Sequence, residues 1–347
     1  MLPLLNKITS YISAYISGAP QFRVGVALSR DGIRAVILRQ QEGVWQVARV
    51  QEMPVPFPLF EGEPPADAVS VLAQLWSALL PEAVGQCVPL HLALPGTAVS
   101  LRVFGLDSVP KSEQDRLNLV RWRLGQELAA SYELACAYQM VEQAGPGGAV
   151  LGIAMDARWL DCLNESCSTA QIVPTAIDAG FSFMFNHFHA QLAACPVCCA
   201  LICLEQKSWS ILVIDVQARI RLARSWRRNP ATVSNHSPAS DQSPVSNQSA
   251  ADHEDYRVIA LEAEQAIRAC NLVGATPIQR ILIAGEAADI NALARLLDAH
   301  MQQPCQLLAM TSGEELNRLR PEHKKFSSTN FSSAHFSTAW AAAFDTR

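Results

Sequence analysis

Cys195, Cys198, Cys199 and Cys203 fall within the run CPVCCALIC, with His187 and His189 just upstream in NHFHA. Thiolate and imidazole are the side chains that hold zinc. Cys195 and Cys198 make a single C-x-x-C, and a tetrahedral site needs a second pair at ligand spacing. Two histidines two positions apart do not share a helix face, so no metal site is expected. The run reads instead as a turn leading into a buried strand, where cysteine acts as a small hydrophobe. The other stretch with chemistry to weigh is VGVALSRDGIRAVIL, residues 24–38, two strand-like runs joined by a tight turn that carries Arg30 and Asp31. Such a turn can present backbone N–H groups to a phosphate. SRDG is also an ordinary hairpin turn, and that is how Arg30 and Asp31 are read.

The elements that position these residues follow from pattern. Residues 22–29, 33–39 and 44–52 are three short strands joined by SRDG and QQEG, with Gly32 and Gly43 expected at positive φ. PADAVSVLAQLWSALLPEAV then repeats apolar residues at helical spacing (Val69, Leu72, Ala73, Leu75, Trp76, Leu79), and VPLHLALPG returns as a buried strand. This β-β-β-α-β order is half of a ribonuclease-H-like unit. After residue 200 it recurs. ALICLEQ, WSILVID and RIRLARSW form a second meander, LEAEQAIRACN is a helix, and IQRILIAGEAADINALARLLDAHM is a strand, a glycine turn and a helix. Two such halves imply a duplicated α/β fold around a cleft.

Between them SVPKSEQDRLNLVRWRLGQELAASYELACAYQMV gives a helix started by Ser112 and then an extended segment. The organisation expected is an N-terminal segment over 1–20 and a first half over 21–195 holding an inserted α+β subdomain near 100–172. A second half over 196–347 carries an unordered loop near 230–254, where Ser, Asn, Pro and Asp dominate. The net charge of −5 and the absence of a basic stripe argue against a nucleic-acid partner. No apolar run approaches the roughly twenty residues of a membrane span. The N-terminus interleaves polar and apolar residues and so does not read as a signal peptide, and a cytoplasmic location is expected. Leu5, Ile8, Ile12 and Ile16 have the spacing of an amphipathic helix over 4–17. With Lys7 as its one cation, packing on the protein's own core, or no order, is expected over a membrane surface.

Four stretches, taken in order, carry a family resemblance: FRVGVALSRDGIRAVILRQQEG, VRWRLGQELAASYELACAYQMV, IVPTAIDAGFSFMFN and PIQRILIAGEAADINALARLL. The chain resembles the actin-like ATPase superfamily and, within it, the PilM-like group that includes MshI, HofM and the cytoplasmic part of GspL. The resemblance implies an actin-like duplicated fold, two halves around a cleft, with the insertion in the first half. The superfamily's first phosphate loop resembles Gly-x-Asp-x-Gly, and the matching positions here are Gly25, Ala27 and Ser29, without the aspartate. The second loop would put its aspartate near Leu204 and its glycine near Gln206. On the adenosine side Gly285 is kept, but Glu286 and Ala287 follow, and a glutamate there opposes a phosphate-bearing ligand.

Without carboxylates to hold Mg²⁺, no ATP hydrolysis and no cofactor are expected, and weak ATP binding stays open. What the resemblance then implies is a scaffold of a type IV pilus-like machine, held at the inner membrane through a PilN-like bitopic partner whose N-terminal cytoplasmic peptide it binds. Trp122, Arg123 and Tyr132 of the insertion are the candidate contacts, with Trp122 weighed equally as a core residue. An active ATPase or kinase of the same fold, a part of a type II secretion or DNA-uptake platform, and self-association remain open alternatives.

Overall fold

The computed structural model describes residues 22–41, 44–81, 83–84, 88–144, 147–205, 208–217, 219–227, 245–273, 277–285, 290–301 and 304–308. Their packing divides them into two compact units.

The first unit takes in the described residues up to Ala98 and those of Met155–His187. Its sheet has the order β3-β2-β1-β4-β8, from β1 (Phe22–Leu28), β2 (Gly32–Gln41), β3 (Val44–Pro54), β4 (Leu90–Leu94) and β8 (Ala176–Ala179). The first three strands are an antiparallel meander, and β4 and β8 join in parallel. Helices α1 (Ala68–Leu79) and α3 (Ala157–Thr169) pack on each other. Their shared polar contact is buried: Trp76 Nε1 donates to Ser166 Oγ at 2.9 Å. Trp159 of α3 stacks obliquely on Phe60 and donates to the Gly62 carbonyl at 2.9 Å. Helix α4 (Gly180–Ala193) follows β8.

The second unit takes in the described residues of Val99–Ala154 and Phe188–Ala309. Its larger sheet repeats the first in order, β11-β10-β9-β12-β13, from β9 (Cys199–Leu204), β10 (Ser208–Ile214), β11 (Ile220–Arg227), β12 (Arg280–Gly285) and β13 (Cys305–Leu307). Pairing repeats too, with an antiparallel meander and then two parallel strands. Every residue of β9 and of β10 is buried, which is why CALICL and SWSILVI are unbroken rather than alternating in polarity. Helices α5 (Val245–Val273) and α6 (Ile290–Met301) cover this sheet, with Ile259, Ala263, Ile267, Leu293 and Leu297 in one core with Trp209, Ile211 and Ile283.

The inserted segment forms its own sheet, β5-β7-β6, from β5 (Ser100–Leu106), β6 (Leu134–Ala144) and β7 (Gly147–Asp156), and α2 (Glu113–Leu128) packs on it. Val120 and Leu124 of α2 meet Phe104, Leu134 and Val150. A Cβ on Gly152 would come within 3.1–3.2 Å of Leu124, Phe104 and Val120, so glycine lets the helix lie close without displacing these side chains. By chain order the insertion falls inside the first repeat, yet it packs with the second: β5 runs beside β11, and Ser225 Oγ reaches the Val99 carbonyl at 3.4 Å.

Gly32 does not adopt positive φ; it lies in β2 opposite Pro54, where an added Cβ would stand 3.2 Å from the Met53 carbonyl oxygen. Glycine there relieves a tight approach. Helix α5 starts at Val245, inside the segment expected as a loop over 230–254, and residues 230–244 lie outside the described set. So do Gly43, Glu286, Ala287 and the N-terminal segment 1–20.

Candidate functional site

The first candidate phosphate turn joins β1 to β2. Ser29 N–H donates to the Gly32 carbonyl at 2.9 Å, and the Ser29 hydroxyl lies 2.9 Å from the same oxygen and 3.3 Å from Asp31 Oδ1. The turn is tied down from outside as well. Leu59 N–H donates to the Arg30 carbonyl at 2.7 Å, Val55 N–H to that of Asp31 at 3.0 Å, and Arg30 Nε pairs with Glu61 at 2.8 Å. Arg30 and Asp31 are therefore engaged by the protein itself, as an ordinary turn would have them.

Sheet register shows what accompanies Ala27, the position that the resemblance matches to the first aspartate of a phosphate loop. Glu52, Arg34, Ala27, Ala93 and Asp178 are successive cross-strand partners from β3 to β8, and partners in a ladder project to the same face. Ala27 is buried and offers a methyl group. Arg34 beside it is buried too, and its Nε is held by Glu52 Oε1 at 3.0 Å, so its charge is largely spent inside the sheet. Asp178, which sequence reading did not single out, ends this row; its Oδ1 accepts the Ala179 N–H at 2.7 Å. Only register could have found it, because Asp178 and Ala27 are far apart in the chain.

The second turn corrects the sequence alignment by one residue. Glu205 N–H donates to the Ser208 carbonyl at 2.9 Å, the counterpart of Ser29 to Gly32. Glu205 thus matches Ser29, and Cys203, not Leu204, matches Ala27. Leu204 is fully buried in the core. The row through Cys203 reads Ser225, Ser210, Cys203 and Ala284, two hydroxyls, a thiol and a methyl. Burial pushes the Cys203 thiol far above its ordinary range, with the nearby Glu205 carboxylate adding to the rise, so it stays uncharged. Glu205 itself accepts the Ser208 hydroxyl. Gly285 closes β12 opposite Leu204. Ala27 and Cys203, the positions that the resemblance matches to the two aspartates, offer a methyl and a neutral thiol, which do not fit a Mg²⁺-nucleotide ligand set.

The cysteine cluster is core. Cys195, Cys198, Cys199 and Cys203 are buried, and burial, with Cys195 and Cys198 alongside, pushes the Cys199 thiol up to about 12. Burial also lowers His187 below the usual imidazole range. Among the described residues no group of three His, Cys, Asp or Glu could hold a metal ion.

On the insertion, α2 starts where the sequence puts it: Ser112 Oγ accepts the Asp115 N–H at 3.0 Å, and Glu113 and Asp115 occupy the first turn near the positive end of the helix dipole. Val120 and Leu124 face the sheet, so Trp122 points the other way and is 58% exposed. That removes Trp122 from this core. Arg123, about 100° round the helix from Trp122, pairs with Glu127 at 3.6 Å, and Glu127 also meets Arg102 at 3.5 Å. Tyr132, 45% exposed, stands in the connection to β6.

No protein-family model and no curated protein matches the sequence. Solved structures do match. A chain of the PilM-PilN type IV pilus biogenesis complex superposes with a TM-score of 0.67 at 15% identity, over 92% of this chain and 97% of that one. A Bacteroides thetaiotaomicron protein with an actin-like ATPase fold and unknown function superposes with a TM-score of 0.50 at 13% identity, over 86% and 95%. The chain has the actin-like α/β fold, with the repeat visible in its two five-stranded sheets.

Proposed function

We propose that this chain is a non-hydrolysing scaffold of a type IV pilus-like assembly machine, binding the cytoplasmic N-terminal segment of a bitopic inner-membrane protein. The observation that carries the reading is the likeness, along nearly the whole of both chains, to a chain of the PilM-PilN complex. The replaced carboxylates support its non-enzymatic half: with Ala27 and Cys203 at the aspartate positions, neither position offers a ligand for the Mg²⁺ that phosphoryl transfer requires.

In this reading the protein works at the cytoplasmic face of the inner membrane through its partner, and no helix among the described residues is long and apolar enough to cross a membrane. Trp122 is the central contact, because an exposed tryptophan is the side chain that contributes most when an interface covers it. Arg123 and Tyr132 flank it. The test is calorimetric titration of the purified chain with Mg-ATP, then with a synthetic peptide of the N-terminal segment of the membrane protein encoded beside it. Peptide binding without ATP binding is expected. Micromolar ATP binding, or no heat with the peptide, overturns the proposal.

A further inference from the structure

Strand edges in folded proteins are normally blunted by shortness, charge, proline or a neighbouring element, because an open edge invites another strand. Among the described residues the edges follow that rule, with one departure. β8 and β13 have four and three residues. β3 carries Arg49 and Glu52, faces a register shift at Ile37/Leu38 and ends in Pro54. β11 carries Arg221, Arg224 and Arg227, and β5 runs beside it. β6 has eleven residues, LACAYQMVEQA, with no proline and no charge before Glu142, and it is the outer strand of β5-β7-β6.

The two faces beside this edge differ. On the side of α2 lie Leu134, Cys136, Tyr138 and Met140. Two arginines of α2 reach over them. Arg116 Nε donates to Tyr138 Oη at 2.8 Å and its Nη1 to the Pro110 and Lys111 carbonyls at 3.0 Å, and the Arg121 guanidinium stands near the Cys136 thiol, where it opposes the rise that burial gives that thiol's pKa. Among the described residues these partners are neutral groups, and both positive charges stay in place. On the opposite face lie Ala135, Ala137, Gln139 and Val141, three small or apolar side chains and one amide, all uncharged. We propose that the β6 edge receives an extended partner segment by strand addition, with acidic side chains toward Arg116 and Arg121 and apolar ones on the opposite face. For the identity of the partner this rests on the scaffold reading above; the edge and its charge pattern do not. Main-chain hydrogen bonds would hold the segment, and the alternation would select it.

The experiment uses the full chain and an eight-residue peptide alternating valine and glutamate, against its valine–lysine counterpart, read by fluorescence anisotropy and by amide hydrogen exchange. The valine–glutamate peptide is expected to bind at least tenfold more tightly and to slow exchange at residues 135–141 about tenfold. Arg121→Glu, a substitution on the exposed side of α2, should reverse the preference. Equal binding of the two peptides, or binding that leaves exchange in β6 unchanged, overturns the proposal. Failure of the scaffold reading looks different: the neighbour-encoded peptide does not bind while β6 still captures valine–glutamate.

Discussion

Trp122→Ala separates an anchor from a bystander. Trp122 is 58% exposed, which on a tryptophan of roughly 250 Å² is about 145 Å². At about 25 cal/mol per Å², covering all of it would contribute about 3.6 kcal/mol, a ceiling that matches the scale of binding hot spots. A loss of about 2 to 3.6 kcal/mol corresponds to a Kd raised roughly 30- to 400-fold at 1.4 kcal/mol per decade. Stability should stay within about 0.5 kcal/mol, because the side chain faces away from Val120 and Leu124. The assay is calorimetric titration of wild type and variant with the partner peptide, alongside thermal denaturation of each. An unchanged Kd in a variant with an unchanged melting temperature would refute the placement of Trp122 in the interface. A raised Kd together with a large fall in melting temperature would show that the residue holds α2 in place, contrary to its exposure.

Leu124→Ala, the buried counterpart, should cost about 2–5 kcal/mol and lower the melting temperature, since Leu124 is fully buried against Phe104 and Gly152. Ala27→Asp should destabilise the fold by about 3 kcal/mol at neutral pH, with partial recovery toward pH 4, because Ala27 is buried and Arg34 is already held by Glu52; a variant as stable as wild type that gains Mg²⁺-dependent ATP binding would contradict this. Asp215 accepts the backbone N–H groups of Gln217 and Arg219 and the side chains of Arg219 and Arg221. Burial works against its ionisation, yet these bonds and the Arg219 charge outweigh it and lower its pKa. Its contribution is therefore complete above the ordinary carboxylate value and lost as pH falls through the lowered one, so Asp215→Asn should narrow the stability gap between pH 6 and pH 3 in urea titrations. Ala129 caps α2 at φ 46°, and Ala129→Gly should raise stability by about 1 kcal/mol, seen as a higher urea midpoint.

Much of the fold is legible in the sequence because its signals are local. SRDG marks the first hairpin, the Ser112 cap opens α2, and the spacing of Leu72, Trp76 and Leu79 sets the buried face of α1. The exposure of Trp122, left open by the sequence, follows only once Val120 and Leu124 are seen to face the sheet. Register is a different kind of information. Where glycine and aspartate have been replaced, no residue type pins the second turn, and the alignment slipped from Cys203 to Leu204, across a strand that is apolar on both faces and gives no periodicity to correct it. The row from Glu52 to Asp178 is invisible for the same reason, since it exists only once five strands are paired.

The interleaving of the two units sets an order on how the chain comes together. β4 finds β8 only when Ala176 has been made, 85 residues after its partner His91 (176 − 91), and the insertion meets β11 later still, with Ser225 126 positions after Val99. Loop closure over such spans makes these late, slow contacts compared with the adjacent hairpins. A ribosome will therefore release the first meander well before the sheet that completes it. A chain cut at the boundary after Ala98 would keep β1 to β4 but lose β8 and α3, leaving Trp76 without Ser166 and the flank of β4 bare. Neither unit can be expressed as a simple N- or C-terminal half; each needs segments from both sides of the other.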